Sequence, residues 1–482
     1  MAEPAQVIDV RRAGVLLHVT SLPPSGSDVP GRPVARGGDL GDAAYRFVDF
    51  LVAAGCTVWQ VLPLVPTHDD DGSPYNALSS MAGNPDLISA ARRAADGLHD
   101  MAALDAAQQD AFAAWCEQQA DWLEPYVEFV ALRELHDGTP WSTWPQGLRD
   151  REPTAVARAL AGSADRVREL RFEQWVFAVQ WAALREYAGS RGVLVFGDLP
   201  IFVSLDSADV WASRDLFELD AEGRPTSVTG CPPDYFAADG QRWNNPHYDW
   251  NAMAADGFGW WRRRIARQRE LFDLVRIDHF RGFEAAWHVP ADAATARDGR
   301  WVRGPGADIL SVLVEVAGPG RLVAEDLGLI TPEVVALRDQ FGLPGMKILQ
   351  FAFDGSADNP YLPAHHGERS VVYTGTHDND TTLGWWSELD ESTRELVRSH
   401  LPDPDEPMPW ALIRLALAST ARLAVVPAQD LLGLGSDARM NTPGTDEGNW
   451  TWQAPPGAFD AELAERLRGA VAASGRRAGQ AG

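Results

Sequence analysis

The sequence is poor in cysteine and in basic residues, and each shortage excludes a class of protein. Its three cysteines, Cys56, Cys116 and Cys231, are widely separated in 482 residues. This number and spacing provide neither a disulfide framework nor a zinc site. Lysine and arginine total 42 against 68 aspartates and glutamates, a net charge of −26. Because nucleic acids and anionic membranes attract basic surfaces, neither is an expected partner.

The sequence also lacks a long uninterrupted apolar run. Its first twelve residues, MAEPAQVIDVRR, contain no apolar stretch typical of a secretory signal. The most apolar late segment, Leu415–Val426, is interrupted by Arg422 and is too short to span a bilayer. Together with the scattered cysteines, these features predict a cytoplasmic protein.

Sequence motifs that bind metals or nucleotides are missing as well. No H-E-x-x-H or H-x-H pair occurs, and neither G-x-G-x-x-G nor a P-loop follows the first predicted strand. We therefore predict no metal and no cofactor. A metal hydrolase in which His18, His279 and His377 converge with carboxylates is the less favoured alternative. The run Asp69–Asp71 lacks EF-hand spacing, which favours a solvated turn over a calcium loop.

Tryptophan, in contrast, is abundant, with 19 residues. Several tryptophans stand in polar or Gly/Pro-rich surroundings: Trp141, Trp144, Trp243, Trp301, Trp385, Trp386, Trp450 and Trp452. Core packing is the default for any one of them. So many outside periodic runs favour a cleft lined with flat rings, on which the apolar face of a sugar stacks.

Eight apolar segments alternate with helical ones along the chain. They are centred near residues 15, 60, 196, 276, 324, 349, 373 and 425. Continuous apolar strands such as Thr57–Val65 are typical of a parallel sheet covered on both faces. Eight strands alternating with helices predict an α/β fold, a (β/α)8 TIM barrel, with an open doubly wound sheet as the alternative. The first helix is predicted at Asp42–Ala54, with Asp42 as its N-cap.

Three long connections interrupt this alternation. We predict one catalytic barrel domain over residues 1–482 with insertions at about 66–189, 204–256 and 284–306. The first has helical periodicity and is expected to form a helical subdomain. The second and third are expected to be loop-rich, and the second to cover the cleft.

Charged side chains gather at the ends of the predicted strands. In a barrel, the carboxyl ends of all strands meet at one rim, where active sites lie. The residues at these ends are Asp198, Arg276, Asp278, Glu325, His377 and Asp378. Arg276 and Asp278 are two positions apart, which places both side chains on one face of a strand. A structural ion pair explains that pair alone, but not the carboxylates at the other strand ends.

Two such carboxylates suffice for glycoside chemistry. We expect Arg276 to keep Asp278 ionised as a nucleophile. Glu325 follows an apolar run and has no adjacent cation, so burial is expected to raise its pKa as an acid requires. Asp378 is the third carboxylate, facing positive charge on the sugar. His279 is expected to point away from the barrel interior by strand alternation.

The motifs identify a family resemblance over nearly the whole chain. The segments are GVLLHVTSLP, SPYNALSSMAGNP, GDLPIFV, GCPPDYF, RIDHFRG, AEDLG, GMKILQF, TGTHDNDT, ARMNTPGT and GNW. They resemble those of the amylomaltases, 4-α-glucanotransferases of glycoside hydrolase family 77 in the α-amylase clan. The departure is Gln453, where the resemblance leads us to expect a basic residue.

The resemblance implies a role for each matching residue. Asp278 matches the nucleophile, Glu325 the general acid/base and Asp378 the carboxylate that stabilises the transition state. The remaining matches bind substrate: Tyr75, Asp198, Trp243, Arg276 and His377. GCPPDYF resembles a loop that covers bound glucan.

The implied reaction is a retaining double displacement. It moves α-1,4-glucan segments between maltooligosaccharides, starch or glycogen-derived dextrins. An α-1,4-glucan hydrolase with the same carboxylates is the alternative, because residue types do not decide whether water or sugar reaches the intermediate. A non-catalytic glucan-binding barrel is disfavoured by the three intact acidic positions.

Overall fold

The computed structural model describes residues 10–24, 37–68, 72–233, 238–445 and 447–476. Within them lie twelve strands: β1 (Arg12–Leu16), β2 (Val58–Gln60), β3 (Leu194–Pro200), β4 (Ser227–Cys231), β5 (Gln241–Pro246), β6 (Leu274–Asp278), β7 (Ala285–Pro290), β8 (Arg300–Arg303), β9 (Leu322–Ala324), β10 (Gly345–Ile348), β11 (Ser370–Tyr373) and β12 (Leu423–Pro427).

Eight of these strands form a parallel barrel. The order is β10-β11-β12-β1-β2-β3-β6-β9. The N–H of Ala324, the last residue of β9, donates to the carbonyl oxygen of Pro344, just before β10, at 2.8 Å, which joins the two ends of the sheet. The eight strands coincide with the eight predicted apolar segments. The predicted TIM barrel is therefore confirmed, and the open doubly wound sheet is wrong.

Seventeen α-helices accompany the strands in the described ranges: α1 (Asp42–Ala53), α2 (Ala90–Ala95), α3 (Ala106–Gln118), α4 (Ala120–Leu135), α5 (Gln146–Arg149), α6 (Pro153–Leu160), α7 (Ala164–Ser190), α8 (Ala208–Ala212), α9 (Trp250–Ala255), α10 (Gly259–Leu271), α11 (Ala307–Ala317), α12 (Pro332–Gln340), α13 (Thr382–Glu388), α14 (Glu391–His400), α15 (Trp410–Ala418), α16 (Ala428–Leu431) and α17 (Ala461–Ala473). None is long and apolar enough to cross a membrane.

The start of α1 differs from the prediction. Gly41, not Asp42, is the N-cap, and it makes no side-chain cap. Asp42 is instead the first helical residue, where its charge interacts favourably with the helix dipole. Gly55, just beyond the helix, has a left-handed backbone, with φ of 73°, which is common after the last turn of a helix.

The barrel interior is apolar up to the rim. Alternate residues of the strands point inwards and form one buried cluster that includes Leu16, Val58, Phe196, Leu274, Val323, Ile348, Tyr373 and Val425. Because side chains alternate along β6, the face that begins at Leu274 continues through Arg276 to Asp278. The apolar layer therefore ends where the charged residues begin.

The segment 66–189 carries helices α2 to α7 and no strand among its described residues. Two glutamines of α7, near the end of this segment, bind the loop after β2 at its start. The Gln174 amide bonds the backbone of Gly83 at 2.8 and 2.7 Å, and the Gln180 amide bonds that of Ser89 at 2.8 and 2.9 Å. Both amides are buried, so each satisfies a main-chain donor and acceptor that water does not reach. The division into insertions stays a prediction.

A second, antiparallel sheet lies in the two segments expected to be loop-rich. Its order is β5-β4-β7-β8, with strands of four to six residues. The loop-rich description of 204–256 and 284–306 is therefore wrong in part. The strands were missed because they are short and contain Gly230, Asn244, Asn245 and Pro246, which are depleted in strands.

Asp69–Asp71 and the DYF of GCPPDYF lie outside the described residues.

Candidate active site

Arg276 is the centre of the polar cluster at the barrel rim. Its Nη1 lies 2.8 and 2.7 Å from the two oxygens of Asp198, and its Nη2 lies 2.8 Å from Oδ1 of Asp278. The register of the barrel explains this contact, because Asp198 on β3 is opposite Arg276 on β6. The Tyr75 hydroxyl donates to Oδ2 of Asp198 at 2.8 Å. Burial lowers the pKa of Arg276, but Asp198 and Asp278 outweigh it and raise that pKa well above its ordinary value.

Asp278 differs from the expectation in its electrostatics. Burial raises the pKa of Asp278, and the attraction of Arg276 only partly opposes this. Arg276 favours the ionised form of Asp278, as expected, but Arg276 is shared with Asp198, whose charge also raises the pKa of Asp278. About a quarter of the Asp278 side chain, 27%, is exposed, so the carboxyl group remains accessible from the cleft.

Glu325 follows β9 and is 9% exposed. Its Oε2 accepts the main-chain N–H of His279 at 2.7 Å, and its Oε1 accepts that of Leu327 at 3.0 Å. Burial raises the pKa of Glu325, further than it raises that of Asp278. Its neighbour Asp326 turns away and accepts the N–H of Met346 at 2.7 Å. The two carboxyl groups thus differ in the direction that an acid and a nucleophile require.

Asp378 and His377 follow β11. The Asn441 side chain donates to Oδ1 of Asp378 at 2.7 Å, and Arg439 donates to the Asp378 carbonyl oxygen at 2.7 Å. Nε2 of His377 lies 3.4 Å from Oδ2 of Asp378. Burial lowers the pKa of His377, which favours a neutral ring.

Aromatic rings flank this side of the site. The His377 ring stacks on Tyr75, with centroids 5.3 Å apart and planes 10° apart. Trp450 lies 5.7 Å from Tyr75 and 6.0 Å from His377. Two of the tryptophans singled out in the sequence, Trp141 and Trp144, are instead buried in the core. The tryptophan-lined cleft is therefore supported only in part.

Trp243 lies on β5 of the second sheet. Its ring meets that of His279 edge-on, at 4.8 Å between centroids and 85° between planes. His279 does not continue the strand, since β6 ends at Asp278 and His279 has φ of 48°. The expectation based on strand alternation therefore does not apply to it.

The structure brings every predicted site residue to the rim, and it adds three that were not assigned there. Arg439 and Asn441 belong to the ARMNTPGT segment, which carried the resemblance without a residue role. Trp450 belongs to GNW, and its polar surroundings were its signal. In the described part of the chain, no group of three or more His, Cys, Asp or Glu side chains is arranged to hold a metal ion.

Comparison with known proteins agrees with this geometry. The sequence profile of the family described as 4-alpha-glucanotransferase matches residues 17–105 and 90–458. The 4-alpha-glucanotransferase of Thermus thermophilus is 47% identical over 509 residues, covering 97% of this chain and 99% of the relative. That of Synechocystis is 43% identical, covering 98% and 99%.

Among solved structures, the amylomaltase from Streptococcus agalactiae in complex with acarbose superposes with a TM-score of 0.90 at 31% identity. The match covers 97% of this chain and 100% of that one. From the profile match and the identities to these relatives, the chain belongs to glycoside hydrolase family 77, the 4-alpha-glucanotransferases.

Proposed function

We propose that this protein transfers α-1,4-glucan segments from one maltooligosaccharide or starch chain to another by a retaining double displacement. The observation that supports this most directly is the pairing of two carboxyl groups with different pKa values around Arg276. Glycosidases of this type use one carboxylate as nucleophile and one carboxylic acid as proton donor.

In the first step, Oδ2 of Asp278 attacks the anomeric carbon. We assign the attack to Oδ2 because Oδ1 forms the ion pair with Arg276. The glycosidic C–O bond breaks, and the proton of Glu325 goes to the leaving oxygen. The raised pKa of Glu325 keeps that proton available near neutral pH. The product is a glucosyl ester of Asp278 and a shortened glucan.

In the second step, the ionised Glu325 removes the proton from the 4-hydroxyl of an acceptor glucan. The acceptor oxygen attacks the anomeric carbon, and the ester bond to Asp278 breaks. We assign the stabilisation of the oxocarbenium-like transition state to Asp378, which Asn441 holds through Oδ1. Two inversions give retention, for which the two carboxyl groups should lie about 5–5.5 Å apart in the substrate complex.

Around these carboxylates we assign substrate contacts to the remaining rim residues. Tyr75 and His377 stack on each other beside the reaction centre, and Trp243 offers a flat ring next to His279. Asp198 is wholly buried and bonds Arg276 and Tyr75, so we assign it a positioning role instead. We also propose that the protein acts in the cytoplasm, which cell fractionation with a specific antibody tests.

Incubation of the pure protein with maltotriose tests the proposed transfer. We expect glucose together with a ladder of longer maltooligosaccharides. A hydrolase would give glucose and maltose without chain lengthening. Proton NMR of the elongated products should show only α-linkages at the newly formed glycosidic bonds, whereas a new β-linkage would contradict the double displacement.

A further inference from the structure

His279 lies directly after the proposed nucleophile, at a sharp turn of the main chain. β6 ends at Asp278, and His279 has φ and ψ of 48°. A residue other than glycine rarely adopts this left-handed conformation, because its Cβ crowds the backbone. Such strain persists only where surrounding contacts enforce it, and it concentrates at functional sites.

The turn directs the main-chain N–H of His279 at Glu325. The N–H lies 2.7 Å from Oε2, while Leu327 N–H occupies Oε1 at 3.0 Å. Two further main-chain bonds tie the same segments, from Glu325 N–H to the Ile277 carbonyl at 3.0 Å and from Phe280 N–H to the Glu325 carbonyl at 3.2 Å. Main-chain donors on both sides therefore hold the Glu325 carboxyl group.

The side chain of His279 explains why the turn persists. Its ring packs edge-on against Trp243 at 4.8 Å and lies 6.1 Å from Phe202. A Cβ placed on Gly282 would lie 3.4 Å from the His279 ring, an ordinary contact distance, so the segment after β6 lies beside the ring. The ring is thus wedged between the second sheet and the segment after β6. Rotation of the backbone at His279 would move the ring out of this position.

We propose that His279 is a positioning residue for Glu325: its wedged ring enforces a left-handed backbone that aims a main-chain N–H at the acid/base carboxyl group. The inference rests on the role proposed for Glu325. Since His279 is bonded to Asp278 in the chain, the same turn fixes both carboxyl groups relative to each other.

Substitutions at His279 separate the backbone from the ring. Asparagine and glycine accept the left-handed conformation, whereas valine strongly disfavours it. We expect His279→Val to lower kcat for maltotriose disproportionation by about 10²-fold, the scale of a small misplacement of a catalytic group. We also expect the alkaline limb of its kcat/KM profile to move to higher pH. The lost N–H bond favours the ionised carboxylate of Glu325, so losing it raises the pKa of Glu325. In His279→Asn and His279→Gly, which tolerate the left-handed backbone but lack the ring that enforces it, the alkaline limb should move less than in His279→Val.

The charged and titratable groups facing Glu325 are Arg276, Asp278, Asp326 and Tyr361, and these variants alter none of them. Asp137→Val is the matched control, since Asp137 also has a left-handed backbone, with φ of 54°, at the end of α4. It should lose stability but keep the wild-type pH profile. If His279→Val does not fold, His279→Ala replaces it and should show the same shift.

Two results are decisive in different ways. If the wild type is active and the folded Val or Ala variant has the same alkaline limb as the wild type, this inference alone is overturned. A wild type that makes no product longer than maltotriose contradicts the proposed function itself.

Discussion

The two ends of the barrel each bury an arginine, and they satisfy its charge in opposite ways. At the carboxyl ends of the strands, Arg276 lies against Asp198 and Asp278. At the other end, Arg476 is 1% exposed and donates to five main-chain carbonyl oxygens, those of Arg12, Leu417, Ser419, Ala421 and Arg422, at 2.7–3.1 Å. Burial lowers the pKa of Arg476 to about 9, whereas that of Arg276 is raised.

The difference separates chemistry from stability. The groups around Arg276 are carboxylates, and in the proposed mechanism one of them, Asp278, reacts. The groups around Arg476 are peptide dipoles, which neither titrate nor react. They join the start of β1 to the connection between α15 and β12, as expected for the face of a barrel that serves stability. Breaking either end should therefore affect one property and spare the other.

The largest effect is expected for Asp278→Asn. It removes the proposed nucleophile, so turnover of maltotriose should fall by about 10⁴-fold or more. Asp198 remains beside Arg276, so the fold should be retained, which thermal unfolding followed by circular dichroism checks. Asp358→Asn, an exposed carboxylate in the loop after β10, is the control and should be fully active. Unchanged turnover in Asp278→Asn would mean that another group attacks.

Glu325→Gln should cost less, about 10²–10⁴-fold, because it removes proton transfer but leaves the nucleophile. A glycosyl fluoride substrate needs little protonation of its leaving group. We therefore expect it to restore the first step in Glu325→Gln, seen as a burst of fluoride, and not in Asp278→Asn. Equal rescue of both variants would show that the two carboxyl groups do not have distinct roles.

The reactive end also predicts the pH profile of the wild type. Burial raises the pKa of both Asp278 and Glu325, and more for Glu325. The enzyme needs Asp278 ionised and Glu325 protonated, so kcat/KM should be bell-shaped. Both limbs should lie above the ordinary carboxyl range near 4. In Glu325→Gln, measured with a glycosyl fluoride, the alkaline limb should disappear.

At the other end, Arg476→Met should destabilise the protein by about 3 kcal/mol, because it leaves buried carbonyl oxygens without a hydrogen-bond donor. Activity at 25 °C should stay within about twofold of the wild type. Urea unfolding measures the loss of stability, and maltotriose turnover measures the activity. The matched control is Arg468→Met on α17, whose side chain is 60% exposed and whose removal should change stability by less than about 0.5 kcal/mol. A loss of activity in folded Arg476→Met would contradict the separation.

Strand alternation explains how much of this was visible in the sequence. The eight strands, and the shared face of Arg276 and Asp278, follow from local pattern alone. The left-handed turn at His279 was not predicted, because its ring packs against Trp243, which belongs to a strand that the sequence did not reveal. The net shift at Asp278 was also missed. It depends on how deeply Asp278 is buried and on Asp198 sharing Arg276, and neither is a property of the local sequence.

Two histidines, His247 just after β5 and His288 on β7, extend the contrast to buried groups that no close ion pair keeps charged. The rings of His247 and His288 stack at 3.3 Å between centroids and 6° between planes. Burial lowers the pKa of His247 to about 3 and that of His288 to about 4. Glu218, half exposed 3.7 Å from His288, and Arg300, which further lowers that pKa, are the nearby charges.

Because the folded pKa values lie below the unfolded value near 6.5, the unfolded state binds more protons as the pH falls. Stability should therefore be complete above pH 6.5 and decline below it, by about 2 kcal/mol per ring at pH 5. Between pH 7 and pH 5, the free energy of unfolding measured in urea should fall less in His288→Gln than in the wild type. The exposed His99→Gln is the control and should keep the wild-type loss. An equal loss in all three proteins would mean that the stacked rings accept protons in the folded state as readily as in the unfolded state.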